Sequence, residues 1–179
     1  MKKFMLMAMA VGALTFGSCS SDDDGGNNGG IDQSADLTGT WEPTDVYYEG
    51  DSSSSIGGQT ITMNFTGQSV SFDDYVVMIN EDQTYESSGS YTIELTVSGM
   101  GQDITDEVTM SDFLGTGTWE RNGNEFSTTD DESGTTGVST IEVLNDTTLK
   151  LTMDDYAMPN AGMPGLDAEV DLEMTLERQ

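Results

Sequence analysis

The side chains of this protein that could do chemistry are almost all carboxylates. Its 179 residues include 33 Asp and Glu, a single cysteine and no histidine. Without histidine, the usual general base of serine and cysteine hydrolases is missing, and zinc lacks its nitrogen ligands. Only carboxylate catalysis or calcium bound through oxygen remains open to such a composition. The sequence therefore predicts a protein that is not an enzyme and that uses no cofactor.

Acidic clusters at residues 22–24, 73–74, 130–132 and 154–155 are the candidates for calcium binding. Calcium takes about six to eight oxygen ligands, and none of these clusters has the spacing of a known calcium loop. Glycoside hydrolysis would need two acids about 5–10 Å apart across a cleft, and no pair stands out. A chain with this many carboxylates produces clusters by chance. We interpret them as solvated surface and predict no metal site.

Cys19 follows a segment with the order of a secretory signal. Lys2 and Lys3 precede an apolar run over residues 4–16, which is shorter than the roughly 20 residues that span a bilayer. Residues 16–19 read Phe-Gly-Ser-Cys and look like a lipobox, so we predict cleavage before Cys19 and lipidation of its thiol. The alternative is an ordinary signal peptide with an incidental cysteine. That would leave a free thiol, which is unusual in a secreted protein.

The rest of the chain divides into a tether and one folded domain. We assign residues 1–18 to the signal peptide, 19–35 to a flexible Gly-, Asn- and Asp-rich tether, and 36–179 to the domain. Asp22–Asp24, close behind the cysteine, resemble the export signal of Bacteroidota lipoproteins, and the alternative is that they are solvated tether. The resemblance implies an outer-membrane protein that is lipid-anchored and faces the cell exterior.

The net charge restricts the partners. Removing residues 1–18 leaves three basic residues against 33 acidic ones, a formal charge of −30. Such a charge repels nucleic-acid phosphates and opposes adsorption to anionic lipid. The acyl anchor is therefore the predicted link to the membrane, and protein partners are left open.

Period-two alternation of apolar and polar residues dominates the domain. The clearest runs lie at 61–65, 91–97, 149–153 and 170–176, with a shorter copy at Val70 and Phe72. Strands with one apolar face are typical of antiparallel sheets. Turn signals lie at 80–83, at Asn122-Gly123 (a two-residue type I′ hairpin signal) and at 145–146. Residues 102–114 fit either a strand or a short helix.

These patterns predict an all-β protein: an antiparallel up-and-down barrel of eight or nine strands, or alternatively a two-layer β-sandwich. The chain also resembles the lipocalin-like domains of Bacteroidota surface lipoproteins. The resemblance rests on Leu-Thr-Gly-Thr-Trp at 37–41, Gly-Ser-Tyr at 89–91 and Gly-Thr-Trp-Glu at 117–120. It implies a lipocalin-like barrel whose base is closed by Trp41. Arg178 is the only late candidate for the basic residue that packs across this tryptophan.

An apolar loop at 156–165 separates two predicted strands and contains Met158 and Met163. It could close the core, cover a small apolar ligand or contact a partner protein, since methionine adapts to irregular surfaces. An eight-stranded barrel is either filled by side chains or holds one small ligand. Phe65, Phe72 and Tyr91, on the inward phase, are the interior candidates for ligand contact.

The sequence thus predicts a surface-anchored, non-catalytic binding or structural module, with a small apolar ligand as the candidate partner. The alternative function is a carbohydrate-binding β-sandwich module of a cell-surface glycan system. That function would require a row of exposed aromatic residues on one outer face. A carboxylate hydrolase is the third hypothesis.

Overall fold

A computed structural model describes residue 31 and residues 34–56, 59–99, 101–158 and 168–179, without the side chains of 53–56, 59–61, 157, 158 and 168. The regular structure of these ranges is nine antiparallel strands, which confirms the all-β prediction. None of the ranges contains a helix of the length and apolar character needed to cross a bilayer. The strands are β1 (Gly39–Ile56), β2 (Gln59–Ile79), β3 (Thr84–Gly99), β4 (Gln102–Ser111), β5 (Thr116–Asn122), β6 (Glu125–Asp130), β7 (Thr136–Leu144), β8 (Thr148–Met158) and β9 (Ala168–Arg178).

The strand pairings form a closed circuit. β1 lies between β2 and β9, and the order continues through β8, β7, β6 and β5 to β3, which also pairs with β2. β3 contacts β5 only through Thr84–Glu86, because β4 occupies the same edge of β3 further along, from Ser90 to Gly99. Eight strands therefore make a ring and β4 extends from it. A ring of this kind is compatible with both the barrel and the sandwich.

The two ends of the ring differ. The end that we call the base carries the turns at 80–83, 123–124 and 145–147, and the opposite end, the mouth, carries the turns at 112–115 and 131–135. Ile31 forms a parallel bridge with Leu144 of β7, and Ala35 is buried with the core. The packed part of the chain therefore begins before residue 36, the boundary that composition indicated.

The β5–β6 hairpin corrects one predicted turn. Asn122 pairs with Glu125, so the two loop residues are Gly123 and Asn124 rather than Asn122 and Gly123. Gly123 has a φ of 66°, whereas Asn124 is not among the residues with positive φ. This combination fits a type II′ turn, in which glycine takes the first central position, and not the predicted type I′ turn.

Two β-bulges change which residues of β2 face the core. The first bulge turns Val70 away from the core, where it is 52% exposed, and Phe72 faces the core instead. The prediction that Val70 and Phe72 share one face is therefore wrong. The second bulge includes Asp74, whose φ is 50°, and returns the inward phase to Tyr75. Gly89 permits this bend, because a Cβ there would lie 2.3 Å from the Asp74 carbonyl oxygen.

Candidate functional site

Three tyrosines from neighbouring strands meet inside the ring. Tyr48 of β1, Tyr75 of β2 and Tyr91 of β3 are each at most 2% exposed. The Tyr48 and Tyr91 hydroxyls hydrogen-bond to each other, and the Tyr75 and Tyr91 rings pack edge to face with centroids 5.3 Å apart. Each hydroxyl of the Tyr48–Tyr91 pair thereby keeps a partner away from water, as a buried polar group requires. We call these three residues the tyrosine floor.

The tyrosine floor carries no charge at physiological pH. Burial raises the pKa of Tyr75 to about 12, and it also raises the pKa values of Tyr48 and Tyr91. The Tyr75 hydroxyl has no hydrogen-bond partner of acceptable geometry, although the Ser87 hydroxyl lies near enough to moderate its pKa. With raised pKa values the three phenols stay protonated near pH 7, so the floor presents an uncharged aromatic surface.

The turn between β4 and β5 places Phe113 above this floor. Asp112 has a φ of 47°, and its backbone N–H donates to the Gly89 carbonyl at 3.1 Å. The Gly115 carbonyl, at the other end of the turn, accepts from the Ser87 backbone N–H at 2.8 Å. Phe113 is therefore held between two points on β3, and it packs edge to face on Tyr91 with ring centroids 5.8 Å apart.

A pocket of about 360 Å³ opens beside Phe113 at the mouth. Tyr156 also lines it and packs against Phe113, with the two ring centroids 5.4 Å apart. A second cleft of about 640 Å³ shares Tyr156 and Met153 with it and continues over the β6–β7 turn. The apolar lining consists of Tyr85, Phe113, Leu114, Met153 and Tyr156, and the acidic lining of Asp112, Asp130 and Glu132. Phe113 and Tyr156 are half-buried, so part of each side chain remains exposed.

The interior candidates predicted from the sequence lie in or against the core and do not line this pocket. Phe65 and Tyr91 are buried in the core, and Phe72 is half-buried with its ring centroid 6.1 Å from that of Tyr91. None of the three is among the described lining residues. The side chain of Met158 and all of Met163 lie outside the described residues, as does Cys19.

Phe113 is the functional candidate that sequence reasoning missed. It falls in the ambiguous segment 102–114, where a helix and a strand fitted equally well. The available signal was the order Asp-Phe-Leu-Gly at 112–115: an apolar pair between two residues that tolerate positive φ. Such a turn presents its apolar pair to whatever lies across it, which here is the tyrosine floor.

The base carries the other predicted pair. The guanidinium carbon of Arg178 lies 4.2 Å from the centroid of the Trp41 ring. Trp41 is fully buried, and its indole N–H donates to the Leu37 carbonyl at 2.9 Å. Arg178 also donates to the backbone carbonyls of Asp36, Thr38 and Asp146. This end of the ring is therefore closed by packing and hydrogen bonds.

The acidic clusters do not converge. Within the described ranges, no three Asp, Glu, Cys or His side chains come together as a metal would require. Asp130 instead caps the β6–β7 turn, where its Oδ1 accepts from the Ser133 backbone N–H at 2.6 Å. Comparisons with protein-family models, curated proteins and solved structures found no match to this chain.

Proposed function

We propose that this protein is a surface-anchored lipoprotein whose strand ring is a non-catalytic binding module for a small apolar ligand. The observation that carries the proposal is the half-buried Phe113–Tyr156 pair, which lines a pocket of about 360 Å³ above the tyrosine floor. Ligand pockets of small molecules are about 300–1,000 Å³ and mostly apolar, with a few polar groups at their edge. The mouth pocket falls within this size range, and its lining combines five apolar side chains with three carboxylates.

The two ends of the ring support the same interpretation. The base is closed by Arg178 over Trp41, whereas the mouth keeps half-buried aromatic residues around an open pocket. Burying an aromatic face of this kind removes about 25 cal/mol of unfavourable free energy per Å² of apolar surface. A ligand at the mouth would gain this term from Phe113 and Tyr156.

The carbohydrate-binding alternative receives no such support. Planar aromatic side chains in a row on an outer face would be its expected feature. Every aromatic residue in the described part of the chain is buried or half-buried. None of the described aromatic side chains is fully exposed, so they form no exposed row of this kind.

Binding of N-phenyl-1-naphthylamine, a neutral apolar dye, tests the ligand site. The intact protein in lipid nanodiscs should show saturable fluorescence at about one dye per chain after subtraction of empty nanodiscs. Phe113→Ala should weaken binding several-fold, since it removes one wall of the pocket. Val70→Ala is the matched control, because Val70 is exposed at the β2 bulge and does not line the pocket. Absence of saturable binding by the folded wild type would contradict the proposal.

Replacement of Cys19 tests the anchor. Two or more acyl chains give stable membrane attachment, at about 0.8 kcal/mol per buried CH₂. Cys19→Ala should appear in the soluble fraction or remain unprocessed, whereas Ser20→Ala should stay with the membranes as the wild type does. Mass spectrometry of the amino-terminal peptide reports the acyl chains directly. A Cys19→Ala protein that is processed and membrane-bound like the wild type would show that the anchor lies elsewhere.

A further inference from the structure

The pocket beside Phe113 combines aromatic faces with unneutralised carboxylates. Phe113 and Tyr156 supply aromatic surface, and Asp112, Asp130 and Glu132 supply negative charge. No basic side chain is among the described residues that line it. An aromatic face and a carboxylate both attract a cation, and neither favours an anion.

The position of Asp130 is fixed by the protein. Its Oδ1 accepts from the Ser133 backbone N–H at 2.6 Å, and its Oδ2 lies 3.0 Å from where a Cβ on Gly115 would stand. The carboxylate therefore spans the space between the β6–β7 turn and the β4–β5 turn. The hydrogen bonds from Ser133 lower the pKa of Asp130, which keeps it ionised at neutral pH.

The acidic side chains also act on Tyr85, an aromatic residue of the pocket lining. The pKa of Tyr85, which lines the same pocket, is raised by burial first and then by the charges of Asp130 and Asp131. Tyr85 consequently stays neutral, and a neutral phenol ring retains the electron-rich face that attracts cations. Charge and aromatic surface thus act on the same space.

We propose that this pocket binds a small organic ammonium ion carried on an apolar body. The ammonium group lies against Phe113, Tyr156 and the carboxylates of Asp112 and Asp130, and the apolar body packs on Leu114. This inference rests on the proposed function, since it names the charge class of the ligand for the same pocket. An inorganic cation is a poorer fit, because the apolar half of the lining cannot replace its hydration shell.

Three ligands of similar size test the charge class. They are benzyltrimethylammonium, its uncharged carbon isostere neopentylbenzene, and the anion benzenesulfonate. Titration of the intact protein in nanodiscs, followed by ligand NMR line broadening, should show the ammonium binding at least tenfold more tightly than the isostere. Benzenesulfonate should show no saturable binding. Equal affinity for ammonium and isostere would overturn the inference while leaving an apolar ligand site in place.

Charge-matched variants separate the pocket from the general attraction of an acidic protein. The double variant Asp112→Asn/Asp130→Asn should weaken ammonium binding at least fivefold and leave the affinity for the isostere unchanged. The amide at position 130 retains an oxygen that can accept from the Ser133 N–H. Glu42→Gln with Glu177→Gln removes the same charge near the base, where these residues pair across β1 and β9. Equal weakening by both double variants would overturn the inference. If neither benzyltrimethylammonium nor neopentylbenzene binds the folded wild type, the proposed function is contradicted as well.

Discussion

Arg178 lies over Trp41, with its guanidinium carbon 4.2 Å from the ring centroid, and joins the last strand to the first. The same guanidinium donates to the backbone carbonyls of Asp36 and Thr38, so it also fixes the segment that enters β1. One side chain therefore combines a cation–π contact with hydrogen bonds that close the base. Its fork of donors suits this role better than the single ammonium of lysine.

Replacing Arg178 should destabilise the ring. Arg178→Met removes the cation–π contact and the carbonyl hydrogen bonds, so we expect a loss of about 1–3 kcal/mol in the free energy of unfolding. Urea denaturation followed by circular dichroism measures it. Lys150→Met is the control, because Lys150 forms a half-exposed ion pair with Glu173 at 2.8 Å and such pairs contribute little. Equal losses for the two variants would rule out a special role for Arg178.

Like charges opposite each other on neighbouring strands should make the protein sensitive to salt. Glu94 of β3 pairs directly with Glu107 of β4, an arrangement that destabilises antiparallel strands. Glu107→Lys should raise the free energy of unfolding by about 0.2–1 kcal/mol and reduce the rise in melting temperature between 0.05 and 1 M NaCl. Glu125→Lys is the control, since Glu125 pairs with Asn122 and Thr140. A melting temperature that is flat or falls with NaCl would contradict the charge-repulsion account.

Removing the Tyr75 hydroxyl and removing the Tyr91 hydroxyl should affect the stability of the protein differently. Tyr75→Phe deletes a buried hydroxyl that makes no hydrogen bond of acceptable geometry, so stability should stay the same or rise. Tyr91→Phe leaves the Tyr48 hydroxyl buried without its partner, which should lower stability by about 1–3 kcal/mol. Parallel urea titrations at pH 7 measure both. A larger loss for Tyr75→Phe than for Tyr91→Phe would contradict the assigned hydrogen bonding.

The same tyrosines should set the alkaline limit of stability. The pKa of Tyr75 rises from 10.0 to about 12 on folding, because burial disfavours the phenolate. The folded state then binds more protons than the unfolded state above pH 10, so stability is complete below pH 10 and falls as the pH rises towards 12. The buried tyrosines should contribute to the phenolate absorbance at 295 nm only at the pH values at which circular dichroism shows that the protein unfolds. Titration of all tyrosines while the fold persists would contradict their burial.

The sequence alone determined the fold class, because the period of side-chain alternation is a local property. Runs such as 91–97 and 170–176 show which residues face the core without reference to any other strand. The turn at 80–83 was equally visible, since its polar residues form local hydrogen bonds, as Asp82 does with Thr84. Composition likewise restricted the chemistry through the missing histidine.

Only the tertiary structure decided where the alternation breaks and what the breaks bring together. The bulges that expel Val70 and turn Phe72 and Tyr75 inward depend on the pairing with β3, which no local pattern encodes. Phe113 shows the same limit. The sequence Asp-Phe-Leu-Gly indicates the turn, but the contacts of Phe113 with Tyr91 and Tyr156 join strands far apart in the chain. A pocket at the mouth arises from those long-range contacts, so side-chain periodicity could predict a core and could not predict its opening.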